Sequence, residues 1–133
     1  MKFLVYCGTI TPSEDRTVVI EKGGDEESFS WTLTPGTNER VLNLFLYNGT
    51  QSAENEIWDA VNKMLKKGED MFNGRLEVTY DDQKELTVTI KNAMLNDSIT
   101  ILLAGIFLNN NNFQVETFNY SVTLDVRGKI VLF

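Results

Sequence analysis

The residues in this sequence with the greatest chemical potential are carboxylates. They stand together in two short runs, Asp25-Glu26-Glu27 and Asp81-Asp82. Paired carboxylates can act as general acid and base, but that role needs a shaped cleft that excludes water. Both runs fall in predicted turns, and the chain has no histidine to work beside them. The pattern favours solvated turn charges, and we expect that the chain is not an enzyme.

Any metal site in this chain would have to be built from oxygen ligands. Cys7 is the single cysteine, so an internal disulfide and zinc sites built from cysteine and histidine are excluded. Asp25, Glu26, Asp81 and Asp82 carry oxygens that calcium accepts, but they lack the spacing of an EF-hand loop. We therefore expect no resident metal and no cofactor.

Net charge limits the class of partner. Twelve basic and nineteen acidic residues give a formal charge of −7. Nucleic acid is disfavoured, because its binding needs a basic patch that displaces phosphate counterions, and an anionic membrane surface is disfavoured as well. The longest apolar run, Ile99 to Leu108, is half the length needed to span a bilayer. We expect membrane attachment only through a segment outside this chain.

Short β-type runs separated by turn residues fill most of the 133 residues. The runs "ESFSWTL", "RLEVTY" and "ELTVTI" alternate apolar and polar residues, which is typical of strands with one buried face. The runs "VLNLFLY" and "ITILLAGIFL" are apolar on both faces, and Asn109 to Asn112 form a predicted hairpin tip. The pattern predicts a single all-β domain, either a sandwich or a barrel.

Residues 54–67 depart from this pattern. Ile57, Val61 and Leu65 recur at helical spacing, which favours a helical turn or two. The same segment also allows a short strand through Ile57, Asp59 and Val61, followed by a loop. We predict the short helical segment.

The order of the runs resembles a variable-type immunoglobulin domain. "EKGGDEESFSW" is similar to the second strand of that family and places Trp31 at the position of its cysteine. "NLFLYNG" resembles the third strand, and "ELTVTIKNAMLNDS" resembles the fifth strand and the turn after it. "NDSITILLAG" is similar to the sixth strand, with Leu103 in place of the second cysteine and Ile101 in place of the tyrosine. The resemblance implies an all-β, two-sheet Greek-key sandwich over residues 1–127, with 128–133 as an extension or linker.

Four residues take structural roles under this resemblance. Arg75 stands where the family arginine pairs with an aspartate, here Asp97. Trp31 packed on Leu103 takes the place of the inter-sheet disulfide. Such a bond contributes about 2–4 kcal/mol. Burying about 150–250 Å² of a tryptophan at about 25 cal/mol per Å² contributes about 4–6 kcal/mol before entropy costs. We expect the fold to form without a disulfide.

Variable-type domains bind partners through the front sheet, so the resemblance implies a binding face there. The partner-binding residues are Leu102, Ala104 and Ile106 on the sixth strand, with Phe45 and Tyr47 on the third. An exposed apolar patch of this kind usually marks an interaction site.

The register of the third strand stays open. With Leu44 at the position of the family tryptophan, the outward residues are Asn43, Phe45 and Tyr47; in the other register they are Leu42, Leu44 and Leu46. Alternatively, the segment from Ile57 to Leu65 and the asparagine-rich hairpin cover these apolar residues in place of a partner.

As a variable-like domain without the two cysteines, this chain most resembles the first extracellular domain of the allorecognition receptors of colonial hydroids. Those receptors bind their own kind. The resemblance implies an extracellular, cell-surface domain for adhesion or self-recognition, whose partner is another copy of the same receptor. Sequons at Asn48, Asn96 and Asn119 suit glycosylation. One alternative is a jelly-roll sandwich. Another is a non-catalytic module that binds a small ligand or glycan in a cleft lined by Trp58 and Tyr47.

Overall fold

The computed structural model describes residues 8–65, 72–81 and 83–128, and these residues form two β-sheets. The back sheet contains, in spatial order, β1 (Thr9–Thr11), β3 (Glu27–Thr34), β8 (Glu85–Ile90) and β7 (Leu76–Asp81). The front sheet contains, in spatial order, β2 (Arg16–Glu21), β10 (Val115–Arg127), β9 (Thr100–Asn109), β4 (Glu39–Asn48), β5 (Glu56–Asp59) and β6 (Met64–Leu65). Two single 3₁₀ turns, Ala53–Asn55 and Leu95–Asp97, lie between strands, and Phe72 is helical. The predicted all-β, two-sheet sandwich is confirmed.

The chain passes from one sheet to the other between its first two strands. β1 pairs antiparallel with β3 in the back sheet, whereas β2 pairs parallel with β10 in the front sheet. The peptide bond between Thr11 and Pro12, in the crossing segment, is cis. β5 and β6 extend the front sheet beyond β4, which is the strand order of a variable-type domain.

β10 is longer than the strand on its outer side. It pairs with β9 from Val115 to Thr123, but with β2 only from Val122 to Arg127. Just before β2 begins, Asp15 Oδ1 accepts a hydrogen bond of 2.8 Å from the backbone nitrogen of Ser121. Among the described residues, no strand pairs with the outer side of β10 at residues 115–121, so this half of β10 is an edge of the front sheet.

The core lies between the sheets and follows the two-residue period of the strands. Alternate residues of β3 and β8 point inward, and so do those of β4 and β9. The largest fully buried side chains include Trp31, Leu44, Leu46, Leu86, Ile101, Leu103 and Phe107. The outer face of the back sheet is polar: Ser28 and Thr89, opposite each other, share a hydrogen bond of 2.8 Å. One face of the back sheet is therefore core and the other is wet, as the alternation predicts.

The predicted helical segment is wrong. Ala53–Asn55 form one 3₁₀ turn, after which the chain enters β5 and turns back into β6. Ile57, Trp58 and Asp59 are consecutive and all buried, a pattern that no amphipathic helix gives. Asp59 closes the turn by accepting hydrogen bonds from the backbone and side-chain nitrogens of Asn62. Residues 66–67 lie outside the described residues.

Gln83 ties the turn between β7 and β8 to the first residues of β4. Its Oε1 accepts a hydrogen bond of 2.5 Å from the backbone nitrogen of Val41, and its Nε2 donates one of 3.2 Å to the Val41 carbonyl. The pairing of β4 with β9 shifts between Val41 and Asn43. The Gln83 side-chain amide therefore makes the two backbone hydrogen bonds to Val41 that a neighbouring strand would make, next to the shift in pairing.

Candidate binding face of the front sheet

The register of β4 is set by its pairing with β9. Phe45 lies opposite Ala104 and Tyr47 lies opposite Leu102. Leu44 and Leu46 point the other way, with 1% and 0% of their surface exposed. The register with Leu44 at the family's tryptophan position is therefore the one that forms, and the alternative register is wrong.

Three strands contribute one continuous outward surface. β10 continues the rows of β4 and β9, with Asn119 opposite Ala104, Thr117 opposite Ile106 and Ser121 opposite Leu102. Nine adjacent outward residues in the middle of these strands carry no charge, and we call them the neutral patch: Asn43, Phe45, Tyr47, Leu102, Ala104, Ile106, Thr117, Asn119 and Ser121.

The five predicted partner-binding residues share this face but differ in access. Phe45, Leu102 and Ile106 are half-buried, whereas Tyr47 is 8% exposed and Ala104 is 3% exposed. The rings of Phe45 and Tyr47 lie 5.9 Å apart between centres. Phe45, Leu102 and Ile106 can therefore touch a partner directly, while Ala104 and Tyr47 are largely covered by the chain itself.

A shallow depression of about 240 Å³ opens in the neutral patch. Its lining combines apolar and uncharged polar groups and includes Phe45, Ala104, Ile106, Thr117, Phe118 and Asn119. Gly105 is part of the lining, and a Cβ there would lie 2.5 Å from both the Asn43 carbonyl oxygen and Cζ of Phe118. Only glycine permits this close approach, so Gly105 helps to set the shape of the depression.

The hairpin between β9 and β10 lies beyond the neutral patch along these strands and is held by its asparagines. Asn109 Oδ1 accepts hydrogen bonds of 2.9 and 3.2 Å from the backbone nitrogens of Asn111 and Asn112. The backbone nitrogen of Phe113 donates to the Asn109 carbonyl at 2.9 Å. Phe113 has a φ of 58°, and its side chain is 74% exposed. The predicted asparagine-rich hairpin thus presents an aromatic ring to solvent.

Trp31 and Leu103, the predicted replacements for the disulfide, are both 0% exposed and belong to the same core. Trp31 has a neighbour that the sequence interpretation missed. The guanidinium of Arg16 lies 5.5 Å from the Trp31 ring centre, and its Nη2 donates a hydrogen bond to the Ser30 carbonyl. Arg16 Nε and Trp31 Nε1 are buried with no hydrogen-bond partner in the described part of the chain. Desolvation by burial lowers the pKa of Arg16 from its ordinary value.

Arg75 and Asp97 form a two-point contact at the lower end of the sandwich, which is the end opposite the hairpin between β9 and β10. Nη1 lies 2.5 Å from Oδ2 and Nη2 lies 3.0 Å from Oδ1. Oδ2 also accepts a hydrogen bond of 2.7 Å from the backbone nitrogen of Met94, which closes the turn Leu95–Asp97. The hydrogen bond with Asp97 raises the pKa of Arg75. The pair joins β7 to the turn that leads into β9.

The three sequons occupy different environments. Asn96 is exposed in the 3₁₀ turn at the lower end of the sandwich, and Asn48 is half-buried at the end of β4. Asn119 is exposed in the middle of β10, inside the neutral patch. A glycan on Asn119 would therefore stand on the face that we expect to bind a partner.

The two carboxylate runs lie at opposite ends of the back sheet. Glu26 forms a 3.5 Å ion pair with Lys91, which follows β8 directly, whereas Asp81 pairs with Glu85 where β8 begins. The length of β8 separates them by about 17 Å at about 3.4 Å per residue. Among the described residues, no three acidic or thiol side chains lie close enough together to hold a metal ion. Asp82 and Cys7 lie outside the described residues.

Trp58 and Tyr47 do not share a cleft. Trp58 is 2% exposed and packs edge-on against Tyr80 inside the sandwich, with their ring centres 6.0 Å apart. Tyr47 lies beside Phe45 on the other face of the front sheet. The structure therefore separates the two residues that were expected to line a ligand site.

No protein-family model and no curated protein sequence matches this chain. Solved structures do. The structure of murine CRIg is 13% identical, covers 90% of this chain and 98% of its own, and superposes with a TM-score of 0.70. A chain from a structure described as the structural basis of T cell specificity and activation by the bacterial superantigen toxic shock syndrome toxin-1 is also 13% identical. It covers 92% of this chain and 100% of its own, with a TM-score of 0.61.

These likenesses show the fold, which is immunoglobulin-like. No helix in the described ranges has the length and apolar character to cross a bilayer. No family match supports the narrower resemblance to the allorecognition receptors of colonial hydroids, which stays a prediction.

Proposed function

We propose that this chain is the recognition domain of a cell-surface receptor, and that it binds a second copy of the same receptor through the neutral patch. The observation that carries the proposal is the contrast between the two outer faces. The back sheet presents Glu77, Asp81 and Glu85 among serines and threonines. The neutral patch carries no charge, although the chain as a whole carries −7.

Charge limits how a second copy can approach. Two copies of net charge −7 repel each other. The neutral patches themselves hold no carboxylate, and Glu56 and Asp59, opposite Tyr47 and Phe45, lie on the neighbouring strand β5. A C₂ pair of this kind uses the same surface on both copies, which suits a patch without charges to match.

The size of the neutral patch predicts weak association in solution. The neutral patch spans three strands that lie about 4.8 Å apart. Along each strand its outward residues are about 6.8 Å apart, so the patch covers on the order of 300 Å². A stable interface buries about 800 Å² on each partner. Single domains should therefore separate readily, and recognition should depend on many copies displayed on apposed membranes.

The test uses beads coated with the chain produced in bacteria, which leaves the sequons unmodified. The parent beads are expected to clump. Leu102→Arg places a charge in the neutral patch and should abolish clumping, because burying an unpaired charge is costly. Thr87→Arg, the matched control on the wet face of the back sheet, should clump like the parent. The proposal would be contradicted if the beads of both variants clumped like the parent beads, or if the parent beads did not clump at all.

A further inference from the structure

The ring of Phe113 has no evident role within a single copy. A φ of 58° is uncommon for an aromatic residue and costs on the order of 1–3 kcal/mol. At 74% exposure the side chain offsets little of that by packing. Asparagine adopts this conformation more easily, and four asparagines directly precede Phe113.

The hairpin that carries Phe113 is organised before any partner arrives. Besides the bonds from Asn109, Asn112 Oδ1 accepts a hydrogen bond of 2.9 Å from the Gln114 nitrogen. The Asn110 nitrogen donates to the Asn38 carbonyl at 2.8 Å, and Arg40 Nε donates to Asn110 Oδ1 at 3.1 Å. The loop before β4 and β4 itself therefore fix the hairpin from outside, and its own asparagines fix it from within. A hairpin backbone held in this way loses little entropy on binding.

The depression in the neutral patch has the size and chemistry to receive one aromatic side chain. Its volume of about 240 Å³ lies below the range of about 300–1,000 Å³ typical of small-molecule sites. Phe45 and Ile106 give it apolar surface, while Thr117 and Asn119 give it an uncharged polar edge. Aromatic residues seated in such pockets are the usual energetic centres of protein interfaces.

We propose that Phe113 of one copy inserts into the depression of a second copy, and that the second copy returns the same contact. This inference rests on the proposed self-recognition and names its central contact. Along β9 the hairpin begins at Asn109, five residues from Ala104 in the depression. That distance is about 17 Å at about 3.4 Å per residue. Two front faces related by a two-fold axis midway between these points, near Ile106, place each hairpin over the other copy's depression; the neutral patches then meet along the row of Ile106 and are offset along the strands elsewhere.

Charge and area both suit a second copy as the occupant. Neither Phe113 nor any residue that lines the depression is charged, so the contact brings no carboxylates together. Each inserted aromatic ring adds about 150–250 Å² of buried surface to the contact. The total stays near the lower limit of specific interfaces, in keeping with recognition by many copies.

The first experiment compares two exposed apolar residues on different hairpins. Phe113→Asn removes the ring and places a residue that tolerates the φ of 58°, so the melting temperature should hold or rise. Its beads should lose the clumping of the parent. Val61→Asn is the matched control, since Val61 is 72% exposed at the turn between β5 and β6. It should clump like the parent.

The second experiment separates ring from depression. Thr117→Trp fills the depression from an exposed position of β10 and should fold normally by circular dichroism. Thr117→Trp beads alone and Phe113→Asn beads alone should not clump. A mixture of the two should, because the rings of the first fit the open depressions of the second.

Each result decides between the two proposals. Clumping of Phe113→Asn beads at the level of the parent, with Leu102→Arg inactive, would overturn the insertion and leave the binding face standing. A mixture that stays dispersed like its two components would also overturn the insertion. A parent that never clumps would overturn the proposed function and the insertion with it.

Discussion

The guanidinium of Arg16, on the first strand of the front sheet, lies 5.5 Å from the ring centre of Trp31, on the back sheet. Trp31 stands where the family has its inter-sheet cysteine. The charge also lies 6.0 Å from the Phe29 ring, which meets Trp31 edge to face. A cation stacked on aromatic rings, and not a covalent bond, therefore links the two sheets at this position.

Trp31→Ala should lower the free energy of unfolding by about 3–5 kcal/mol, because it leaves a cavity in a fully buried position. Trp31→Phe should lose less than half of that. It keeps a ring beneath Arg16 and removes a buried nitrogen that has no hydrogen-bond partner among the described residues. Guanidinium denaturation measures both. A loss below about 1 kcal/mol for the alanine variant would show that the core does not depend on Trp31.

Arg75→Met should lower the free energy of unfolding by about 3–5 kcal/mol, because the Asp97 carboxylate, 2% exposed, loses its counter-ion. Arg75→Lys should lose less, since it keeps the charge but not the two-point contact. The control is Arg127→Met, whose ion pair with Asp125 is exposed and should matter little. Urea denaturation measures these losses. Equal losses for Arg75→Met and Arg127→Met would contradict a structural role for the buried pair.

Gln83→Ala should lower the free energy of unfolding by about 1–3 kcal/mol, because the buried backbone nitrogen and carbonyl of Val41 lose their side-chain partners. Lys84→Ala, an exposed neighbour, should leave stability unchanged. Hydrogen exchange of the Val41 amide provides a local readout and should accelerate only in the Gln83 variant. Unchanged protection there would mean that Gln83 does not hold the start of β4.

A glycan on Asn119 and binding through the neutral patch exclude each other on one molecule. Chain secreted by eukaryotic cells and glycosylated at Asn119 should fail to clump beads, because a bulky sugar covers the patch. Asn119→Gln from the same cells should clump. Asn96→Gln, which removes an exposed sequon at the lower end of the sandwich, should behave like the parent. Intact mass reports occupancy, and clumping by chain with an occupied Asn119 would exclude the patch as the contact.

Strand positions could be predicted where one face is wet. In β3, β7 and β8 apolar and polar residues alternate, and the structure follows that alternation. In β4 both faces are apolar, so two registers fit the sequence equally well. Pairing with β9, together with the shift between Val41 and Asn43, selects one of them. That information lies in the contact between strands and not in either strand alone.

Local spacing misled in residues 54–67. Ile57 lies in β5 and Leu65 in β6, while Val61 lies at the exposed turn between them. A tight hairpin with an apolar tip therefore reproduced the spacing of a helix. For Arg16 a signal existed, because it alternates with Val18 and Ile20 and so shares their inward face. The position of Phe113 had no signal, since a run of asparagines favours positive φ at any of its members.

Within the described ranges β2 pairs with only part of β10, which leaves the front sheet a bare margin, an unpaired strand edge at residues 115–121. Ser121 turns its backbone nitrogen away from β9 to meet Asp15. Because alternate residues of an antiparallel strand direct their backbone nitrogens to the same side, those of Thr117 and Asn119 also point away from β9. Both residues precede the part of β10 that pairs with β2. Bare margins of this kind template the growth of fibrils, because another chain can add a strand there. Asp15 ends that margin with a charge, so the residue that positions β2 also discourages the sheet from extending itself.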